Sequence, residues 1–456
     1  MEKPAFTQKL FKPVDAYTLN VFRILFGVIL ILQFYSYVKS DFIDQGIIAP
    51  KFLFTFDWFP FVHPLPGGAM KFVLALTLIA PFFIAWGKFF RTAVLVYLIS
   101  FSYLLFLEES YFNNHFYLII LLCFFWLFYK PVKVSGNKKV IPYWLLFLFQ
   151  VQIFIVYFYG GIAKLNSDWL FHQQPVRELL SANIRGSSFP DLIGSEFAVY
   201  YITYGGVAVD LLIGFFLFYK PTFKIAAIVS ILFHITNFWI FNFGEGGEIG
   251  IFPMLMIASN VLYAEPDYLR KLFSKINLFK PADIKKQKEK TDEAKINLMF
   301  TSQRKIVLPV LTVYLLLQFL VPFRHLLIPG QVDWTGQAQW FSWRMKVHTK
   351  KFEKVNFTLR RFENDEPVAV QTGQIINSMQ VSMMANHADM IYKYVQYLKK
   401  DLRDRLQIDK AIINAEIKVS FNGHPVQDFI DPKLDLFNIT YHPFKKIDWV
   451  LPLKEQ

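Results

Sequence analysis

The chain has 456 residues, of which 54% are hydrophobic and 52 are phenylalanine, and its mean hydropathy is +0.33. Apolar stretches recur up to about residue 320, which excludes a single soluble domain and predicts a helical protein that crosses a membrane several times. The net charge of +13 does not indicate nucleic acid, because the basic residues cluster between the apolar runs, as membrane anchors do. Cys123 is the only cysteine, which excludes an intrachain disulfide and a cysteine-based metal site.

Nine apolar runs are predicted to form membrane spans. The first run is too long for the apolar core of a signal peptide, so we interpret it as a retained span. With nine spans, the five basic connections, including the N-terminal segment, all fall on the cytoplasmic side of the membrane. The runs comprise residues 18–38, 69–86, 92–107, 115–129, 142–163, 197–219, 223–243, 249–263 and 306–322.

The predicted fold is an all-α polytopic membrane domain followed by a soluble, strand-rich α+β domain. Residues 1–265 form the membrane domain with eight spans, 266–305 a charged and partly helical cytoplasmic linker, and 306–322 the ninth span. Residues 323–456 change to alternating patterns typical of strands and are expected outside the cytoplasm. The expected strands are 341–348, 355–362, 415–421 and 449–453, with a helix near 387–406.

Ionisable and amide side chains stand at the predicted outer ends of three spans. Lys164 closes the fifth run, Asn114 and His115 open the fourth, and His234 lies one helical turn before Asn237 in the seventh. Such groups are costly inside a membrane, so their common depth predicts a site for proton transfer on an amphipathic substrate. Burial would favour the neutral, proton-accepting form of a lysine in this position. The alternative is a lysine that snorkels at a helix end, with each polar group in its own interhelical hydrogen bond.

The histidines could also indicate a zinc site. However, no two of them stand at positions i and i+4 in one predicted helix, and no carboxylate lies nearby in a ligand pattern. We therefore predict no metal at this site.

Short motifs in both halves of the chain follow the order found in one membrane-protein family. They are Gln152–Phe158 with Lys164-Leu165 and Asp168-Trp169, Asn113-Asn114-His115, Phe233-His234 with Asn237, Ile249-Gly250-Ile251-Phe252, Trp334-Thr335, Ser342-Trp343 with Met345, Val347 and His348, His387-Ala388-Asp389-Met390, Asp431-Pro432, and Trp449-Val450 before Pro452-Leu453. With this ordered set, the chain resembles the vitamin K-dependent γ-glutamyl carboxylases, within the wider group of horizontally transferred transmembrane domains.

The resemblance implies a membrane enzyme whose substrates are a reduced vitamin K-type naphthoquinone, O₂, CO₂ and a glutamate-containing protein or peptide. In that family a lysine deprotonates the hydroquinone, which reacts with O₂ to give a base that removes a γ-proton from glutamate. The carbanion captures CO₂, and the quinone leaves as its 2,3-epoxide. Lys164 would be the initiating base, while His115 with Asn114 would position the reacting groups and manage protons. The quinone- or substrate-binding residues would be Tyr157, His234, Asn237 and Gln152.

The chain also departs from the animal members of the family. Ala163 stands where they carry a further lysine, and the stretch 234–250, with Glu245 and Glu248, looks longer than theirs. The disulfide that ties their spans to the tail cannot form, and the tail stops soon after Pro452. These differences bear on recognition of the protein substrate more than on quinone chemistry. The single cysteine and the compact chain favour a bacterial inner-membrane homologue that uses reduced vitamin K or a menaquinone, with the C-terminal domain periplasmic or extracellular.

Two other functions stay open on the sequence alone. The first is a quinone-oxygenating or quinone-dependent membrane oxidoreductase without protein carboxylation. The second is a transporter or scaffold in which Lys164 and the histidines serve packing or ion passage. Transporters often contain internal repeats and have their sites near the membrane midplane, whereas this chain has no clear repeat and its polar groups lie toward one face.

Overall fold

Seven helices in the described part of the chain are long and apolar enough to cross a membrane, and two shorter apolar helices accompany them. The computed structural model describes residues 6–39, 42–135, 138–184, 189–242, 250–276 and 293–454. The nine helices within these ranges are α1 (Tyr17–Lys39), α2 (Gly67–Trp86), α3 (Phe90–Leu107), α4 (Asn114–Trp126), α5 (Tyr143–Ala163), α6 (Glu196–Phe218), α7 (Phe223–Asn242), α8 (Phe252–Tyr263) and α9 (Arg304–Leu327). Each predicted run coincides with one of them, with α4 and α8 the short pair.

Glycines allow α5 and α6 to approach each other closely. A Cβ atom on Gly161 would lie 2.7 Å from the side chain of Leu211, and one on Gly214 would lie 2.5 Å from the ring of Phe154. Small residues at helix contacts are typical of membrane proteins, because close backbone approach improves packing. The approach brings Asp210 in α6 to the end of α5.

A small sheet joins the basic connections at one end of the bundle. Its strands are β1 (Pro13–Asp15), β2 (Val132–Ser135) and β3 (Lys138–Pro142), in the order β1-β3-β2. Arg270 Nη2 lies 2.6 Å from Asp15 Oδ2, which brings the segment after α8 to the same end. The N-terminal segment, the 130–142 connection and the start of the predicted linker therefore share one end of the bundle. We call the opposite end, where the C-terminal domain lies, the outer end.

Further helical segments of fewer than eleven residues connect or flank the spans. They are Phe6–Lys9, Phe42–Ile48, Glu109–Tyr111, Ser167–His172, Val176–Asn183, Pro190–Ile193, Pro266–Leu272, Glu293–Ser302 and Val332–Thr335. The lysine-rich centre of the predicted linker, 277–292, and the loop 244–248 lie outside the described residues. The predicted domain boundaries at 265, 305 and 322 stay predictions.

The C-terminal domain packs two helices against a four-stranded sheet. The helices are α10 (Ser378–Asn386) and α11 (Ala388–Leu406); the strands, in sheet order, are β5 (Val368–Ala369), β4 (Lys350–Arg360), β6 (Ile412–Phe421) and β7 (Gln427–Asp428). Every second residue of β6 is buried, from Ile413 to Phe421, as expected for a strand with one face on a core. The predicted α+β class is confirmed, and so are the two central strands and the long helix.

Two of the expected strands are wrong. Residues 341–348 form an irregular loop in which Phe341, Trp343 and Lys346 have positive φ angles of 56°, 58° and 52°. The alternating apolar residues suggested a strand, but Trp343 is fully buried and stacks on Tyr117 of α4, with ring centroids 5.0 Å apart. Residues 449–453 also have no strand structure.

Buried polar contacts hold the C-terminal domain on the outer end. The Glu108 carboxylate, at the end of α3, accepts hydrogen bonds from Phe54 N at 2.9 Å and from Gln380 Nε2 of α10 at 2.8 Å. Burial raises the pKa of Glu108 to about 7. Next to it, Lys393 Nζ of α11 lies 2.5 Å from Glu109 Oε2. The domain is thus fixed over the outer ends of the spans.

Candidate functional site

A cavity of about 310 Å³ lies between the outer ends of the spans and the C-terminal domain. We call it the inner cavity; its volume falls within the range of about 300–1,000 Å³ typical of small-molecule sites. Six of the seven sequence-predicted site residues line it together: Asn114, His115, Tyr157, Lys164, His234 and Asn237. The C-terminal domain contributes Gln339, Trp340, Arg344, Met345, Lys346, Val347, His348 and His387.

Gln152 is the predicted site residue that does not line the cavity. Its Oε1 accepts a hydrogen bond from the hydroxyl of Tyr314 in α9, and its side chain is fully buried. Its assignment to the quinone site stays a prediction.

Lys164 forms a buried ion pair. It follows the last residue of α5, and its Nζ lies 2.5 Å from Asp210 Oδ2 and 3.0 Å from the carbonyl oxygen of Gly160. The ring of Trp169 lies 5.3 Å from Nζ, and the side chains of the pair are each 11% exposed. Removing one member of such a pair leaves an uncompensated charge in a low-dielectric interior. The lysine is therefore held in one position by three groups from two spans and the segment after α5.

Sequence reasoning missed Asp210. The sequence does contain a feature that points to it: Asp210 is the one acidic residue in the predicted run 197–219, and a charge inside a span is costly. Its partner lies 46 positions earlier in the chain, so the spacing along α6 does not reveal the pairing.

A hydrogen-bond network links α5, α7 and α8. Tyr157 Oη lies 2.7 Å from His234 Nε2 and 3.0 Å from Ser230 Oγ. Asn260 Nδ2 donates to the same Ser230 Oγ at 3.0 Å. The remaining ring nitrogen of His234, Nδ1, is buried without a hydrogen-bond partner among the described residues. The network fixes the imidazole in the cavity wall and leaves one of its nitrogens available.

His115 and Asn114 form another part of the same wall. The Oδ1 atom of Asn114 is buried and has no hydrogen-bond partner in the described ranges. The ring of Phe252 lies near both histidines, with its centroid 6.3 Å from that of His115 and 6.0 Å from that of His234. An aromatic surface flanked by polar groups suits a flat ligand with polar substituents.

Residues 338–348, which we call the lid loop, form part of the outer-side wall of the cavity. Arg344 is held by Asp333, whose two carboxylate oxygens lie 2.7 and 2.6 Å from Nη2. Burial lowers the pKa of Lys346, and it lowers the pKa of His348 to about 4. The lid loop thus brings basic groups to a cavity that Lys164 lines on the opposite side.

These features define a polytopic membrane protein whose polar site is enclosed between its spans and an extramembrane domain. The family model described as "HTTM domain" matches residues 11–268, more than half of the chain, and that described as "Vitamin K-dependent gamma-carboxylase, lumenal domain" matches residues 303–456. The chain belongs to the vitamin K-dependent gamma-carboxylase family, which confirms the resemblance in the motifs. No solved structure matches the chain.

Proposed function

We propose that the protein is a membrane carboxylase that couples conversion of a reduced vitamin K-type naphthoquinone into its 2,3-epoxide with γ-carboxylation of glutamate in a protein or peptide. The observation that carries the proposal is the buried Lys164–Asp210 pair in a cavity shared by the spans and the outer domain. Membership of the carboxylase family supports the same chemistry.

The inner cavity suits a quinone head group. Phe252 offers a flat apolar surface, while Tyr157, His234 and Asn237 offer hydrogen-bonding groups at its edge. Helix α7, which carries His234, exposes apolar side chains such as Leu232 on its other face, where an isoprenoid tail would meet lipid. When bound, the reduced quinone supplies, together with O₂, the strong base that removes the glutamate γ-proton. The native quinone would be vitamin K or a menaquinone.

Lys164 is the proposed initiating base. In the resting ion pair Nζ is an ammonium group, so the cycle begins when its proton passes to Asp210 Oδ2 and from there to the cavity. The neutral Nζ then accepts the proton of the quinone hydroxyl, so that an N–H bond forms, the O–H bond breaks and the electron pair stays on oxygen. Asp210 Oδ2, at 2.5 Å, then stabilises the resulting ammonium group. Before the next turnover Lys164 must lose this proton, and the Asp210 carboxylate is the nearest group that can accept it.

His115 and Asn114 are proposed to act in the later step, on the glutamyl group. The Oδ1 atom of Asn114, which has no partner among the described residues, can accept a hydrogen bond from the substrate and so orient it. The His115 imidazole can accept or donate a proton. Lys346, on the lid loop, contributes positive charge that attracts a substrate carboxylate when protonated. Water would quench a carbanion before CO₂ arrives, so the proposed step needs the lid loop and the apolar lining of the cavity to limit water around the glutamyl group.

The proposed orientation places the N-terminus and residues 266–305 in the cytoplasm and residues 323–456 outside, as in a bacterial inner membrane with a periplasmic or extracellular C-terminal domain. The basic connections gathered at the end of the bundle with β1–β3 support this orientation. The division into a membrane domain up to residue 265, a linker, a ninth span and an outer domain from residue 323 follows from it.

A quinone oxidoreductase without carboxylation is the second candidate, because Lys164–Asp210 and Tyr157–His234 would serve the quinone step alone. Purified protein given reduced vitamin K, O₂, labelled bicarbonate and a glutamyl peptide separates the candidates. Epoxide with label fixed in the peptide supports the carboxylase. Epoxide alone supports the oxidoreductase, and neither product rejects both.

A further inference from the structure

A second cavity, of about 750 Å³, lies beside the inner cavity on the outer side of the molecule. We call it the outer cleft. Its walls come from residues 166–174, which follow Lys164, and from the C-terminal domain at 330–334, 421–424 and 453. Ser167, His172 and Gln331 in these walls are exposed, so the cleft opens to solvent.

The two cavities share part of one wall. Val347 and His348, at the end of the lid loop, line both the inner cavity and the outer cleft. A ligand in the cleft is therefore separated from the inner cavity by a single short stretch of chain.

The charge of the two cavities differs. Among the described residues that line the outer cleft there is no lysine or arginine, whereas Lys164, Arg344 and Lys346 line the inner cavity together with one carboxylate, that of Asp210. The cleft instead offers amides and imidazoles, including Asn166, Gln174, His172 and His424. Its two carboxylates are engaged: Asp168 accepts from Asn422 Nδ2 at 2.7 Å, and Asp333 holds Arg344. The cleft thus offers no positive charge from lysine or arginine and is rich in donors and acceptors, of the kind that pair with peptide groups.

We infer that the outer cleft holds the main chain of an extended polypeptide around the glutamate to be modified, and that only the glutamyl side chain passes Val347 and His348 into the inner cavity. The inference rests on the proposed carboxylase function. Each residue of an extended segment spans about 3.3–3.6 Å, so a cleft of this volume accommodates several of them. An anionic lipid headgroup is disfavoured as the occupant, because basic side chains are what recognise such groups.

His348 is suited to the boundary between the two spaces. Its Nδ1 lies 3.9 Å from Asp333 Oδ1 and has no hydrogen-bond partner among the described residues. Burial lowers the pKa of this imidazole to about 4, so it is neutral at physiological pH. A neutral ring can bond to a passing peptide group without attracting the carboxylate away from the basic inner cavity.

Site-specific cross-linking tests the inference through binding alone. Cys123 is the only cysteine and is buried, so Ser167→Cys or Gln331→Cys would provide one accessible thiol in the cleft. The matched control is Glu366→Cys, exposed in the loop after β4, at the strand end remote from the cleft. A glutamyl peptide with a bromoacetyl group near the glutamate should link to both cleft variants, and unmodified peptide should compete. Equal linkage to the control, or none in the cleft, would overturn the inference.

Steady-state kinetics gives the second measurement. Gln331→Trp should narrow the cleft, so the ratio of KM for a long glutamyl peptide to KM for a single blocked glutamate should rise tenfold or more. Glu366→Trp should leave the ratio unchanged. An equal rise in both KM values in Gln331→Trp would indicate structural damage and contradict a peptide-specific role. Cross-linking in the cleft without any carboxylation would reject the proposed function alone, and carboxylation without cross-linking would reject the cleft alone.

Discussion

Lys164 at the end of α5 and Asp210 within α6 are joined by a 2.5 Å ion pair, although 46 positions separate them in the chain. The pair depends on the close helix approach at Gly161 and Gly214. Because of this pair, Lys164 is a buried side chain in a fixed position and not a lysine that extends to the membrane surface at a helix end. If Lys164 is the proposed base, a substitution there affects both catalysis and stability, and its test must separate the two effects.

Lys164→Ala should reduce epoxide formation by about 10²–10⁴-fold, the range for loss of a general base. The single variant also leaves Asp210 buried and unpaired, which costs about 3–5 kcal/mol of stability. The double variant Lys164→Ala/Asp210→Asn removes that charge and should recover stability without recovering activity. Epoxide is measured in amine-free buffer, and thermal unfolding is followed in parallel. Full epoxidation by either variant would exclude Lys164 as the base, whereas partial rescue by small amines would support it.

His115→Ala should lower CO₂ incorporation more than epoxide formation, because His115 is assigned to the glutamyl step. Positioning and acid–base effects of this kind are each worth about 10²–10⁴ in rate. Both products are measured in one reaction, so errors in enzyme concentration cancel. Equal losses would place His115 in quinone activation with Lys164, and no loss would make it a packing residue.

Glu108 should make the docking of the C-terminal domain depend on pH. Its folded pKa, about 7, lies above the ordinary value of 4.5, so the folded state binds the proton more tightly than the unfolded state. Stability should therefore fall as pH rises from 4.5 to 7, by on the order of a few kcal/mol from this group. Glu108→Gln, which mimics the neutral form, should lose this contribution. The melting temperature of the variant minus that of the wild type should rise with pH across this window; a constant difference would contradict the assignment.

Lys393 should be essential for docking, because it faces the buried Glu109 carboxylate at 2.5 Å. Lys393→Met leaves that carboxylate unpaired and should destabilise the protein by about 3–5 kcal/mol. Lys400→Met, on the exposed face of the same helix, serves as the control and should have little effect. Adding Glu109→Gln to Lys393→Met should restore most of the stability. Thermal unfolding of the purified proteins measures all three, and equal effects at Lys393 and Lys400 would refute the role of the pair.

The orientation of the chain can be tested with reporter fusions after Lys139, Lys290 and Gln456. We expect the first two reporters in the cytoplasm and the third outside, because the basic connections share one side of the membrane. A cytoplasmic C-terminus would remove access of an exported substrate to the inner cavity.

The membrane spans could be predicted because hydropathy and length are local properties of the sequence. The predicted and observed limits of α5 differ by a single residue at its start, and Lys164 follows its last residue as expected. The long helix α11 could be predicted for the same reason, since its charged residues and its apolar stripe recur with helical spacing. In both segments one physical pattern determines the local structure.

What the sequence did not reveal depends on contacts between distant segments. Asp210 looks like an isolated charge until α5 and α6 are packed together. The alternation Phe341, Trp343, Met345, Val347 is typical of a strand, yet these side chains pack against the membrane domain and the cavity, and the backbone bends to follow them. The three-residue strand β1 was also missed, because so short a segment has no clear pattern until its partner β3 lies beside it.

The lid loop has a consequence for the biogenesis of the protein. One wall of the inner cavity is made of residues that follow α9, so ribosomes synthesise them after all nine helices. In the proposed orientation these residues must be translocated, and the C-terminal domain must dock on Glu108 and Glu109, before the inner cavity has all its walls. A nascent chain that has inserted only its first eight spans holds Lys164 and Asp210 but does not enclose a quinone. Quinone turnover would then indicate that insertion and translocation are complete. Premature termination within the C-terminal domain would yield a protein that is inserted in the membrane but inactive.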